Sequence, residues 1–226
     1  MNRKNLRSLA AGVALLLAVG ALAGCGGEKK ADDSKKMVTV GIAQLVEHGA
    51  LDAANKGFVA GMASKGFKEN ENVKYDRQNA QADQSNLQNI AQRFVSNKVD
   101  LICAIATPTA QTMANATKDI PIVATAVTDY EVAKLAASNN EPKGNVTGTS
   151  DMNPIDQQLE LLLKIAPQTK NIGTVYSSSE VNSQLQVDVL KKLAGDKGIN
   201  VIEATVSTVN DIQQAAHRLI GKVDAV

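Results

Sequence analysis

The chain has 226 residues, no tryptophan and only 3% aromatic residues, so a core of small and aliphatic side chains is expected. Its 24 lysines and arginines nearly balance its 23 aspartates and glutamates, and a chain without a basic excess has no field that would attract nucleic acid. Its two cysteines and two histidines are scattered along the sequence, which disfavours a metal site.

The stretch 1–24 has the composition of a secretory signal peptide, with a basic amino terminus and then a short apolar segment. The motif LAGC, which ends at Cys25, resembles the bacterial lipobox, in which the cysteine is lipidated and becomes the new amino terminus. The alternative is a plain secretory signal beside an incidental cysteine. Residues 25–36 are rich in Gly, Lys, Asp and Ser, which predicts a flexible tether. We therefore expect a lipid-anchored protein of the cell envelope that faces the periplasm or the extracellular space.

From Met37 onward, short β-branched runs alternate with segments of helical period. This alternation, with strands that are apolar throughout, predicts an α/β fold of parallel sheets covered on both faces. The predicted strands are Val38–Ala43, Val73–Arg77, Leu101–Ala106, Ile120–Ala124, Ile172–Tyr176 and Val201–Ala204, and the predicted helices are 50–65, 84–97, 109–117, 154–166, 181–196 and 208–220.

The sequence also repeats itself weakly. The segment 84–97 and the triplet Lys98-Val99-Asp100 have counterparts in 208–220 and in Lys222-Val223-Asp224. The same order of elements in both halves predicts two Rossmann-like lobes of one topology.

We place the first lobe at 37–144, and a hinge crossing with a partial second lobe at 145–226. The stretch 146–150 is expected to cross from one lobe to the other. Because Val223 looks like the start of a strand, we expect the second lobe to be truncated at the carboxyl end.

Open parallel sheets bind ligands beyond the carboxyl ends of their strands. Thr107 and Thr109 stand near the start of the helix after the third strand, where free N–H groups favour a carboxylate; alternatively, they only cap that helix. Asp129 could pair with a ligand ammonium, or could be a solvated turn residue. Asn182 and Ser183 offer hydrogen bonds from the second lobe.

His48 follows Glu47 on the loop after the first strand, so a catalytic pair is conceivable. However, the sequence has no Gly-x-Ser-x-Gly nucleophile motif and no dinucleotide or P-loop motif. The candidate loops are rich in Thr, Ser, Asn and Gln, which bind more often than they catalyse. We therefore expect a binding protein without a cofactor rather than an enzyme.

Four stretches carry a resemblance to a known family: VGIAQLVEHGALDAANKGF, ATPTAQTMANATKDIPIVATAVTD, GNVTGTSDMNP and IGTVYSSSEVNSQLQ. Together they are similar to lipoprotein substrate-binding proteins of ABC importers, in the branch of tryptophan- and tyrosine-type binders. The resemblance implies a type I periplasmic-binding-protein fold that closes over a small ligand, such as an amino acid, and delivers it to a permease driven by an ATPase. The alternative is a two-lobed sensing module of a signalling receptor.

The resemblance also implies ligand-binding positions. Two departures from the family pattern stand out, since Tyr130 replaces a proline and Tyr176-Ser177 replaces Tyr-Asn. Both departures lie on predicted cleft loops, so we expect that the ligand can differ from an aromatic amino acid. The implied ligand-binding residues are Gln44, His48, Thr107, Thr109, Asp129, Glu180, Asn182 and Ser183.

Overall fold

The structure is a computed structural model that describes residues 37–142 and 144–226. The predicted signal peptide, the tether and Cys25 lie outside the described residues. Within the described ranges, every helix is too short or too polar to cross a membrane.

The first sheet has five parallel strands in the order β2-β1-β3-β4-β5. Three helices connect the first four of these strands. The elements are β1 (Val38–Gln44), α1 (Gly49–Ser64), β2 (Val73–Asn79), α2 (Gln84–Ser96), β3 (Leu101–Ile105), α3 (Thr107–Ala116), β4 (Ile122–Val127) and β5 (Val146–Ser150).

Both faces of this sheet are covered, as the apolar strands predicted. One face packs against α2 and α3 through Leu87, Phe94 and Met113, which are almost fully buried. On the other face, Phe58 of α1 packs against a cluster that includes Ile42. The central strands are thereby covered by helices, whereas β5 is exposed along most of its length.

The second sheet is smaller and has two parallel strands, β6 and β7. Ala225 forms a bridge to Ile172 of β6, and the N–H of Gly173 donates to the carbonyl of Ala225 at 2.7 Å. The strand expected near Val223 therefore begins beside β6. The elements are α4 (Ile155–Ile165), β6 (Asn171–Ser177), α5 (Val181–Gly195), β7 (Asn200–Val206) and α6 (Ile212–His217).

The two sheets repeat each other in detail. Gly41 of β1 faces the Phe94 ring so closely that an added Cβ would lie 2.7 Å from the ring. Gly173 of β6 faces Leu219 in the same way, with a distance of 2.9 Å. A glycine is required at each place because a bulky side chain presses directly on the strand backbone, from α2 in the first case and from the turn after α6 in the second.

The aspartate of each Lys-Val-Asp triplet accepts backbone hydrogen bonds where a strand begins. The carboxylate of Asp100 accepts a hydrogen bond from the N–H of Thr39 at 2.9 Å, beside the start of β1. The carboxylate of Asp224 accepts from the N–H groups of Lys170 and Asn171 at 2.8 Å, beside the start of β6. The weak repeat in the sequence therefore reflects one structural unit used twice.

Three predicted segments differ from the structure. The fourth strand begins at Ile122, because the N–H and the carbonyl of Ile120 are bonded to side chains in a turn. The third helix begins at Thr107, because Pro108 fits its first turn. The segment 208–220 forms a 3₁₀ turn and then α6, which ends at His217, because the following backbone bonds close i→i+3 turns.

The stretch expected to cross between the lobes is a strand of the first sheet. β5 pairs with β4 from Val146 to Ser150, with a bulge in β4 between Ala124 and Val127. Gly148 lies against the carbonyl of Ala124 so closely that a side chain could not fit there. The expected crossing at 146–150 is therefore wrong, and the chain leaves this sheet only after Ser150.

Candidate ligand-binding site

The loops after β1 and β3 lie side by side at one end of the first sheet. Gln44, the last residue of β1, is in register with Asn79 on one side and with Ile105 on the other. After β1 the chain continues to β2, which lies on one side of this pair of strands. After β3 it continues to β4, which lies on the opposite side. Such a point of divergence is where open α/β sheets form their ligand-binding crevice.

Thr107 and Thr109 lie in the first turn of α3, beside this crevice. The two residues are 1% and 0% exposed, and neither hydroxyl has a hydrogen-bond partner among the described residues. Neither hydroxyl caps the helix, because Ala106 is the N-cap residue and no side-chain cap is present. The interpretation that these threonines serve only as caps is therefore wrong.

The backbone that leads into α3 is strained. Ala106 has φ 86° and ψ 151°, a conformation that is normally adopted only by glycine. Its N–H donates to the carbonyl of Thr125 at 3.0 Å, and its carbonyl accepts from the N–H of Ala110. These bonds hold the first turn of α3 in place, and the N–H groups of that turn cannot be satisfied within the helix.

Gln44 is buried, and its side chain forms hydrogen bonds with the first loop and with α1. Its amide nitrogen donates to the carbonyl of Val46 at 2.9 Å and to the carboxylate of Asp52 at 2.6 Å, while its amide oxygen accepts from Asn55 at 3.2 Å. The side chain thus fastens the end of β1 to the first turns of α1. Neither Asp52 nor Asn55 was singled out from the sequence, because their distance from Gln44 in the chain hides the contact.

His48 is exposed and is the N-cap residue of α1. Its Nδ1 accepts a hydrogen bond from the N–H of Ala50 at 3.3 Å. This contact fixes the ring at the rim of the first loop.

Asp129 is half-buried and holds the turn after β4. Its Oδ1 accepts from the N–H of Val132 at 2.8 Å, and its Oδ2 accepts from the side-chain amide of Asn139, also at 2.8 Å. Each carboxylate oxygen retains a second lone pair, so both could accept a further hydrogen bond. The role of Asn139 was not foreseen, because it lies in a polar stretch that reads as an ordinary loop.

The second sheet contributes the start of α5. Glu180 is the N-cap residue, and its carboxylate accepts from the amide nitrogen of Asn182 at 3.3 Å. The amide oxygen of Asn182 is buried and has no partner in the part of the chain that the structure describes. The N–H of Ser183 donates to the carbonyl of Glu180 at 3.1 Å, so Ser183 lies in the same first turn.

Tyr130 does not face a cleft. It is 6% exposed, and its hydroxyl donates to the carbonyl of Ala124 at 2.9 Å and lies 3.2 Å from that of Thr149. Desolvation, together with the nearby charge of Asp151, raises the pKa of this phenol to about 12. The expectation that Tyr130 alters the ligand pocket is therefore wrong, because its side chain points into the core between β4 and β5.

Tyr176 is half-buried at the end of β6. Its hydroxyl donates to the carboxylate of Glu203 at 2.5 Å, and Lys191 pairs with the same carboxylate at 2.6 Å. The hydrogen bonds from Lys191 and Tyr176 lower the pKa of Glu203. This cluster ties α5 to both strands of the second sheet.

Neither the second cysteine nor the main apolar groove provides a polar binding site. Cys103 is fully buried, and desolvation raises the pKa of its thiol to about 12, so it is an inert core residue. A groove of about 270 Å³ between α4, α5 and β6 is lined mainly by apolar residues and contains none of the predicted site residues.

Among the residues that the structure describes, no group of three potential metal ligands occurs.

Comparison with known proteins gives consistent matches. The sequence profile of ABC transporter substrate-binding proteins matches residues 39–226. A tyrosine-binding protein of Clostridioides difficile (strain R20291) is 47% identical over 233 residues, which cover all of this chain and 67% of the relative.

Two solved structures are similar in both sequence and shape. A domain from Streptococcus pneumoniae in complex with L-Trp is 41% identical with a TM-score of 0.80, over 84% of this chain and 64% of that one. The ligand-free, open structure of a substrate-binding protein with adhesive properties from Clostridium difficile is 49% identical with a TM-score of 0.61, over 83% and 64%. The chain thus spans about two thirds of the length of these relatives, and the type I periplasmic-binding-protein fold is confirmed.

Proposed function

Because this chain belongs to the family of ABC transporter substrate-binding proteins, we propose that it binds an amino acid in a cleft formed by the loops of its two sheets. One observation carries this proposal. Three of the predicted site residues, Thr107, Thr109 and Asn182, have buried polar atoms that find no hydrogen-bond partner within the described ranges 37–142 and 144–226. Each buried polar atom without a partner destabilises the fold by roughly 1–3 kcal/mol. A ligand that forms hydrogen bonds with these atoms would remove that cost, which favours binding.

The chemistry of these groups fits an amino acid. The hydroxyls of Thr107 and Thr109 stand at a helix amino terminus, where N–H groups and the helix dipole favour a carboxylate. Asp129 and Glu180 supply negative charge for an ammonium group. The amide oxygen of Asn182 can accept one further hydrogen bond, from the second lobe.

We take an aromatic amino acid as the first candidate ligand. A relative is named a tyrosine-binding protein, and a similar solved structure contains L-Trp. The reason for expecting a different ligand class is weakened, because Tyr130 lies in the core rather than beside the cleft.

The mechanism that we propose is closure of the two lobes over the ligand. A ligand that bonds to both lobes favours the closed state by its differential affinity. Similar solved structures include one in complex with L-Trp and one that is ligand-free and open, which supports this mechanism. The closed form would be recognised by a permease with its ATPase, and the complex would carry out import rather than catalysis.

The proposed location is the outer face of a membrane. We propose that residues 1–24 are a signal peptide, that Cys25 is lipidated, and that residues 25–36 tether the binding domain. Mass spectrometry of the protein from a membrane fraction would test this, since a diacylated Cys25 at the amino terminus is expected. An unmodified cysteine would contradict the lipid anchor and would indicate a secreted protein instead.

The deciding experiment is calorimetric titration of the purified protein with L-tryptophan, L-tyrosine, L-leucine and D-tryptophan. We expect saturable 1:1 binding of at least one aromatic L-amino acid and weaker binding of its D-enantiomer. Absence of binding to every amino acid in a wider panel would refute the proposed ligand class. Adjacent genes for a permease and an ATPase would favour import over a role in a signalling receptor.

A further inference from the structure

Asn139 joins three residues of the loop that follows β4. Its amide oxygen accepts from the N–H of Tyr130 at 2.7 Å and, more weakly, from the N–H of Glu131 at 3.4 Å. Its amide nitrogen donates to Oδ2 of Asp129 at 2.8 Å. One side chain thus ties the far end of the loop back to its beginning.

These contacts fix the direction of the Asp129 carboxylate. Asn139 holds Oδ2, while the N–H of Val132 holds Oδ1 at 2.8 Å. A carboxylate that is held at both oxygens keeps its orientation before a ligand arrives, so less freedom is lost on binding. Because the amide of Asn139 is neutral, the charge of Asp129 remains available, whereas a lysine at the same place would have neutralised it.

We infer that Asn139 is a positioning residue of the ligand-binding site, which sets the carboxylate of Asp129 for the ammonium group of an amino acid. The inference rests on the proposed function. Asn139 is exposed and outside the apolar core, so its loss removes the loop contacts without opening a cavity. The neighbouring Asn140 is also exposed, and its side chain forms no hydrogen bond with any residue that the structure describes, which makes it a matched control.

The test compares Asn139→Ala, Asn140→Ala, Asp129→Asn and the double variant Asp129→Asn/Asn139→Ala in calorimetric titrations with L-tryptophan. A hydrogen bond to a charged group supports a loss of affinity of roughly 3- to 10-fold in Asn139→Ala, given the solvent exposure of the loop. Asn140→Ala should bind like the wild type. The double variant should bind no more weakly than Asp129→Asn alone, because the amide then has no charge to position.

A second ligand separates positioning from general support of the loop. Indole-3-propionate keeps the ring and the carboxylate of L-tryptophan but lacks the ammonium group. We expect its affinity to be the same for the wild type and for Asn139→Ala. An equal loss for both ligands would mean that Asn139 only supports the loop, and would overturn the inference.

The outcomes also separate this inference from the proposed function. If Asp129→Asn binds L-tryptophan weakly while Asn139→Ala binds it normally, the site stands and the positioning role is wrong. If Asp129→Asn binds L-tryptophan normally, Asp129 does not meet the ammonium group and the inference fails with it. If the wild type binds no amino acid, the proposed function itself fails.

Discussion

At the scale of single residues, the buried hydroxyls of Thr107 and Thr109 are the most informative groups. A fold that served only its own stability would have apolar side chains at these places, because an unsatisfied buried hydroxyl is unfavourable. The strained backbone of Ala106 beside them is a second local cost. Both costs are understandable if the first turn of α3 is shaped for a ligand.

Thr107→Val should therefore weaken ligand binding without destabilising the free protein. Valine has nearly the same shape as threonine, and the lost hydroxyl has no partner in the free protein. We expect roughly a 10-fold loss of affinity for L-tryptophan, in line with about 1.5 kcal/mol for one hydrogen bond to a carboxylate. Thr107→Ser keeps the hydroxyl and is the control. A variant with valine that binds normally and is more stable would remove Thr107 from the site.

The two buried tyrosines offer a matched comparison of hydrogen bonding. Tyr130 donates to a backbone carbonyl, whereas the hydroxyl of Tyr75 has no partner, although both side chains are buried. Tyr130→Phe should lower the free energy of unfolding by about 1 kcal/mol, while Tyr75→Phe should leave it unchanged or raise it. Urea unfolding curves would measure both. Equal effects of the two substitutions would contradict the hydrogen-bond argument.

At the scale of elements, the repeated Lys-Val-Asp triplet anchors the first strand of each sheet. The carboxylate of Asp224 accepts from the N–H groups of Lys170 and Asn171, and these bonds lower its pKa. Asp100 accepts from Thr39 beside β1 in a similar way. Each loop aspartate thus satisfies backbone donors where a strand begins, which secondary-structure ladders alone cannot do.

Asp224→Ala should therefore increase hydrogen exchange at the amides of Lys170 and Asn171. The effect should be confined to the start of β6, because the neighbouring strand pairs are untouched. Asp196→Ala is the control, since Asp196 lies at the carboxyl end of α5 and its side chain makes no hydrogen bond to another described residue. Unchanged exchange at both amides would show that the aspartate does not protect them.

The elements also explain how far the sequence could be interpreted. Helical periodicity located α2, because its buried face is a regular stripe. The alternation of strands and helices predicted parallel sheets because most of the predicted strands are short and apolar. The sequence VTGTS does not show that β5 belongs to the first sheet, because this strand is polar and exposed along most of its length. Its place in the sheet comes from its pairing with β4. The burial of Tyr130 could not be predicted either, because its hydroxyl packs against Gly148 of β5, and the position of β5 was not known from the sequence.

The candidate site was predictable in part. The positions of Thr107 and Asn182 followed from the rule that loops at the carboxyl ends of strands bind ligands, and from the resemblance to a family. Their lack of partners could not be predicted, because it depends on which neighbours are within hydrogen-bond distance. Contacts such as Asn139 with Asp129 join residues ten positions apart across an irregular loop, where no periodic pattern exists.

At the scale of the whole molecule, the proposed closure joins two sheets that have separate cores. Each apolar cluster draws its residues from only one of the two sheets and the helices and turns around it. A ligand that bonds to Thr107 in one lobe and to Asn182 in the other would therefore link units that are otherwise packed separately. Its binding energy would appear as added stability of both lobes.

Thermal unfolding should report this linkage. At a concentration 100-fold above its dissociation constant, a ligand adds about 2.7 kcal/mol, which corresponds to a rise in Tm of roughly 5–10 °C for a domain of this size. Asn182→Ala should require a higher concentration of L-tryptophan for the same rise, because the second lobe then loses one contact. Hydrogen exchange should slow at the loops of both sheets in the wild type. Protection of the first sheet alone would mean that the ligand binds one lobe without bridging to the other, and would rule out closure as the mechanism.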